Sequence, residues 1–194
     1  MIAAIKYNLA NLTNFKGREG RSAFWFYFLF LAIIQIVISI VISMVMTAPM
    51  MADVFEAAKQ GLSEAEMQKR MFSRLSGMMR TSVWASVAST LVLTGLLVAS
   101  FTRRLHDSDK PGWIAGLTAL IQFAALGMAV ASVDKVAEMM IIAQSGDMVK
   151  LQEAQASVMM NGMLGYVPLL LIIVFGVWPS SDGANRYGAE PDHI

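Results

Sequence analysis

The chain of 194 residues contains no cysteine, which excludes disulfides, thiolate metal sites and cysteine nucleophiles. Only two residues are histidine, and charge is scarce: 15% of residues are Asp, Glu, Lys or Arg, against about 25% in an ordinary soluble domain. The shortage is local. Residues 22–52, 81–102, 111–133 and 154–181 hold no charged side chain, and together they make up 104 of the 194 residues. Such a chain is not a soluble single-domain enzyme, and a formal net charge of +1 excludes a strongly basic nucleic-acid binder.

Each uncharged window is long enough to cross a hydrocarbon core of about 30 Å, which takes roughly 20 apolar residues in a helix. Backbone amides in lipid must be paired internally. Continuous apolar runs without two-residue alternation select helices over a barrel. The expected fold is therefore all-α, a polytopic membrane protein with four transmembrane helices near 24–48, 83–101, 113–133 and 158–178. Residues 1–22 form an interfacial N-terminal segment and 23–194 the membrane domain. The first apolar stretch, opening at Phe24-Trp25-Phe26-Tyr27-Phe28, exceeds the 7–15 residues of a signal-peptide core and reads as a retained span.

Four spans place both termini and the loop 102–112 on one side. That side carries eight Lys and Arg and the other seven, but on the first they are denser, with three in the short loop and four in the first 21 residues. Dense basic loops stay in the cytoplasm, so both termini are expected there, in a bacterial inner membrane. Trp25, Trp113 and Trp178 then mark the inner interface and Trp84 the outer.

Small residues predict close helix contacts: Ser82, Ser86, Thr90 and Thr94 in the second span, and Gly112–Gly116 with Gly127 and Ala131 in the third. Gln35 and Gln122 are placed to bond between the first and third spans, and Pro168 to bend the fourth. The outer segments 49–82 and 134–157 read as amphipathic helical loops. Asp53 starts a short helix that Gly61 ends. Ser63 and Glu66 match a capping box, followed by an apolar stripe of Met67, Met71, Leu75 and Met78. Gly146 ends a further helix and Asp147 opens the next. The spacing Gly61/Gly77-Met78 and Gly146/Gly162-Met163 hints at two related halves. Fourteen of the 16 methionines lie in Met44–Met79 or Met139–Met163. Thioethers select Cu(I), yet methionine also fills apolar faces, and no His or Cys there supports a metal; no cofactor is implied.

The chemistry-bearing residues are on the inner face, in three motifs. Gly17, Arg18, Arg21, Phe24 and Trp25 lead into the first span. Arg103, Arg104, His106, Asp107, Gly112 and Trp113 join the second to the third. Asn185, Arg186, Tyr187 and Gly188 follow the fourth. In this order around four spans, Gly-Arg-x-x-Arg-Ser-x-Phe-Trp, Arg-Arg-Leu-His-Asp-x-x-Lys-x-Gly-Trp and Gly-x-Asn-Arg-Tyr-Gly-x-x-Pro resemble domain of unknown function family 805, small bacterial inner-membrane proteins. The resemblance implies the topology and a shared inner site, not a reaction. Family members often carry an acid at the position of Ala23 and Gly at that of Asp109, and their outer loops are usually shorter.

Arginine forks match phosphate oxygens, and basic pockets between spans bind anionic headgroups. The leading expectation is a non-enzymatic protein whose inner cluster stabilises the bundle and contacts anionic lipid, a membrane partner or a second copy. In it Arg104 and Asp107 pair and hold His106 outward. The alternatives are an oligomeric channel or transporter, opposed by spans without ionisable residues, and a lipid-headgroup enzyme with His106 as base and Asp107 or Asp109 as its orienter. His193 sits apart, in the tail.

Overall fold

The computed structural model describes residues 1–145 and 147–191; Gly146 and His193 lie outside them. Among the described residues there are seven helices and no strand: α1 Ile2–Ala10, α2 Arg21–Lys59, α3 Glu64–Asp107, α4 Trp113–Ala131, α5 Val133–Ser145, α6 Met148–Leu164 and α7 Tyr166–Val177. Four stretches of the described residues are long and apolar enough to cross a membrane: Arg21–Ala57, Gly77–Asp107, Trp113–Ala131 and Met148–Val177, the last formed by α6 and α7. The protein is a multi-pass membrane protein.

The first outer segment differs from the expected one. Residue 53 starts no separate helix, because α2 continues for 39 residues through Pro49 and α3 for 44. At 1.5 Å per residue these are about 60 Å and 65 Å long, roughly twice the hydrocarbon thickness, so the hairpin overruns the bilayer. Asp53 lies on α2 and pairs with Arg74 on α3 at 2.7 Å. The hairpin turn is as read. Gly61 has φ +63°, which L side chains rarely adopt, and the Leu62 amide donates back to the Ala57 carbonyl, a Schellman closure. Ser63 and Glu66 then form the capping box that starts α3. Met67 and Met71 share a cleft of about 310 Å³ with Met50, Val54 and Ala57 of α2. Met67 and Met71 of the stripe thus face α2 across the hairpin.

The second half is segmented instead. Ser132 separates α4 from α5 and turns its hydroxyl back to the Met128 carbonyl. Pro168 lacks an N–H to donate to Leu164, four residues back, and Leu164 is where α6 ends. Asp147 caps α6, accepting from the Lys150 amide.

The helix contacts follow the small-residue pattern only in part: Gly112 lies close against Thr102 and His106 of α3. Ala115, Thr118 and Ala125 form the buried face of α4, whereas Gly116, Gly127 and Ala131 are exposed, and a Cβ at either glycine would meet nothing. On α3 Ser86 is exposed. Gln35 donates to Ser89 on α3, at 3.5 Å, so the amide links the first span to the second and not to Gln122. The apolar core lies at the end where α1, the 108–112 loop and the tail meet: Phe24, Phe101, Leu105 and Ala115, flanked by Trp25, Leu97 and Ile172.

Candidate functional site

The last turns of α3 carry Arg103, Arg104, His106 and Asp107. Successive residues of a helix point about 100° apart, so these side chains leave α3 toward α1, α7, the N-terminal segment and the tail. Arg103 and Arg104 are fully buried and Arg18 is 6% exposed. Isolated charges there would cost several kcal/mol each, and every one of the three is paired.

Arg103 pairs with Glu19 at 3.0 Å and also donates to Asn8 Oδ1 at 2.5 Å and to the carbonyls of Asn11 and Asn14. Glu19 accepts from Asn8 at 2.7 Å and from Ser100 at 2.9 Å. Burial pushes the Glu19 carboxyl above its ordinary value, and the Arg103 guanidinium with the Asn8 and Ser100 bonds opposes that rise. This half of the knot ties α1 and the N-terminal segment to α3.

Asp107 makes the other half. Its Oδ1 takes Arg18 at 3.0 Å and its Oδ2 takes Arg104 at 2.5 Å and Ser180 at 2.5 Å. Its backbone carbonyl accepts the Ser181 amide at 2.8 Å. Arg18 continues to the carbonyls of Ser181 and Gly183, and Arg104 to those of Gly176 and Trp178. Three cations against two carboxylates leave one positive charge, which these carbonyl dipoles solvate. The described buried side-chain atoms without a partner are Gln35 Oε1 and Ser108 Oγ; neither belongs to the knot.

His106 is enclosed, contrary to the outward orientation expected for it. Its ring stacks on Tyr187 at 3.8 Å and 6°, Nδ1 faces the Gly17 carbonyl at 3.2 Å, and Nε2 lies 2.9 Å from where a Cβ on Gly112 would stand. Asn185 fixes the tail by donating to the His106 carbonyl at 2.9 Å, and Gly188 closes the turn through paired backbone bonds with Asn185. Asp109 follows the Ser108 cap of α3 at φ +53° and pairs with the exposed Arg186 at 3.0 Å. On the membrane side, Phe24 and Trp25 press against Gly176, whose carbonyl accepts the Trp25 indole at 3.2 Å.

The three motifs therefore converge, except for two residues. Trp113 is 66% exposed and stands apart. Arg21 pairs with no acid among the described residues; it lines an open groove of about 760 Å³ between Tyr7, the start of α2 and the tail segments Pro179–Asp182 and Glu190–Pro191. Sequence reading passed over Glu19, Asn8, Ser100, Ser180 and Gly176. Glu19, an acid enclosed by Arg18 and Arg21, was the one visible signal among them. Asn8 and the serines carry no pattern until α1 and the tail fold over α3.

Comparison with curated proteins and with solved structures gave no match. The family profile described as protein of unknown function (DUF805) matches residues 12–189, which takes in every span, the first two motifs and the third through Gly188, and the chain belongs to that family.

Proposed function

We propose that this is a non-enzymatic protein of the bacterial inner membrane with both termini in the cytoplasm, in which the arginine–carboxylate knot locks one end of the bundle and the adjoining groove holds a lipid headgroup by its phosphate. The orientation rests on the dense cations of the N-terminal segment and of the loop carrying Arg103, Arg104 and Lys110. Trp25 and Trp178 beside the knot, residue types enriched at membrane interfaces, support a groove at headgroup depth, and Lys110 sits over the Trp178 ring at 5.0 Å.

One observation carries the reading. Of the five arginines in the three motifs, Arg18, Arg103, Arg104 and Arg186 are engaged by acids of the chain, and Arg21, exposed on the groove, has no acid partner among the described residues and is open to a ligand. The lipid contact expected of the inner cluster thus falls to Arg21, because Arg103 and Arg104 are held within the knot. The stacking of the His106 ring on Tyr187 and the approach of Nδ1 to the Gly17 carbonyl speak for a structural imidazole over a general base, which needs reach to its proton.

Arg21→Gln tests this. Purified in mild detergent, the variant retains about fivefold less phospholipid than the parent, equivalent to ~1 kcal/mol, by phosphate assay and mass spectrometry. Equal retention rejects the headgroup site.

A further inference from the structure

The charges left free in the groove do not suit a purely anionic ligand. Arg18, Glu19 and Asp107 reach its wall, but each is spent in the knot. Among the described residues, what remains is one cation, Arg21, and two exposed carboxylates, Asp182 and Glu190. Asp182 makes no hydrogen bond or ion pair among the described residues, and Glu190 accepts only the Gly183 amide, at 3.1 Å. Neither acid reaches Arg21 to neutralise it. The groove is thus bipolar, with opposite charges on walls contributed by separate segments: the start of α2 and the tail.

Resting on the headgroup reading above, we infer that the groove selects a zwitterionic phospholipid headgroup bearing a primary ammonium, with its phosphate on Arg21 and its ammonium between Asp182 and Glu190. A phosphoethanolamine carries both charges on adjacent groups and presents three N–H donors to two carboxylates. An anionic glycerol headgroup would bring a phosphate to Arg21 but place uncharged hydroxyls against the acids, leaving a repulsive pair of carboxylates uncompensated. Discrimination then comes from the tail as much as from the basic residue. The groove volume lies within the about 300–1,000 Å³ usual for ligand pockets, enough for the headgroup with its glycerol.

Native mass spectrometry of the full chain in detergent decides it, with equimolar phosphatidylethanolamine and phosphatidylglycerol of matched acyl chains. The parent carries the ethanolamine lipid in about threefold excess, the scale of one or two exposed charge pairs. The double variant Asp182→Asn/Glu190→Gln retains total lipid but brings the ratio to about one, and Arg21→Gln lowers both lipids together. All three side chains are exposed, so the variants keep the fold, checked by circular dichroism. A parent that prefers the glycerol lipid overturns the inference, and so does a double variant with an unchanged ratio. If Arg21→Gln also leaves both lipids in place, the headgroup reading itself fails, which separates the two failures. Soluble glycerophosphoethanolamine at the lipid's concentration should not displace it; displacement would overturn a lipid as the source of the headgroup.

Discussion

Arg104 and Asp107, one turn apart on α3, form an ion pair of 2.5 Å in which both side chains are fully buried. Asp107 also holds Arg18, 89 residues away in sequence, so one carboxylate joins the N-terminal segment, α3 and the tail.

Removing that carboxylate charge takes the acid partner from two buried guanidinium groups at once, Arg18 and Arg104, where Glu19 serves one. Asp107→Asn is expected to cost about 3–5 kcal/mol, the scale for breaking a buried pair, and to lower the thermal unfolding midpoint in detergent. Glu19→Gln leaves Arg103 its Asn8 and carbonyl acceptors and costs less. An equal loss in the two variants contradicts the asymmetry.

Glu19 also predicts a pH dependence. Its folded value lies above the ordinary 4.5 because burial outweighs its partners. A carboxyl raised on folding contributes stability that is fully present below its unfolded value and is lost as pH rises through the folded one. Midpoints measured upward from pH 4.5 should therefore fall in the parent and fall less in Glu19→Gln. Identical slopes reject the assignment.

Gly176 tests the packing beneath the knot. An added Cβ would stand 2.8 Å from Trp25 Cζ2 and 2.9 Å from Phe24 Cε1, both on ring edges held in the core. Gly176→Ala is expected to cost about 1–3 kcal/mol, while Gly116→Ala, facing open space, stays near the parent in the same unfolding assay.

Asp109 occupies the left-handed position after α3, where a Cβ is unfavourable by about 1 kcal/mol, and its exposed pair with Arg186 returns little. Asp109→Gly should unfold at or above the parent midpoint and Asp109→Ala below Asp109→Gly. The reverse order of the two variants contradicts the backbone argument.

The absence of cysteine makes topology directly measurable. Single-cysteine variants Lys16→Cys and Arg186→Cys should react with an impermeant maleimide only after the cytoplasmic face is opened, and Gln60→Cys in intact spheroplasts. Lys16→Cys and Gln60→Cys labelling from the same side would refute both the orientation and the spans.

The membrane fold was legible because its cause is local. Uncharged windows of 22 residues or more leave backbone amides no partner but their own helix, and the turn at Gly61 with the Ser63–Glu66 box is written within a few residues. The arginine-rich motifs were legible as a group for the same topological reason. Less visible was the continuity of α2 past Asp53, because a residue that can cap a helix can equally well sit on one and pair across a hairpin. The outward stripe of Gly116 and Gly127 misled in a similar way, since spacing marks a face but not which neighbour it meets.

Sequence alone determined that four apolar helices bring Arg18, Arg103, Arg104 and Asn185 to one end of the molecule, because hydrocarbon admits no other backbone arrangement for those windows. Only the tertiary structure decided which of the inner-face arginines is left without an acid partner among the described residues. A guanidinium's availability depends on acceptors from distant segments, here Asn8, Glu19, Ser181 and Gly183. Their approach to α3 is set by how α1 and the tail fold over it.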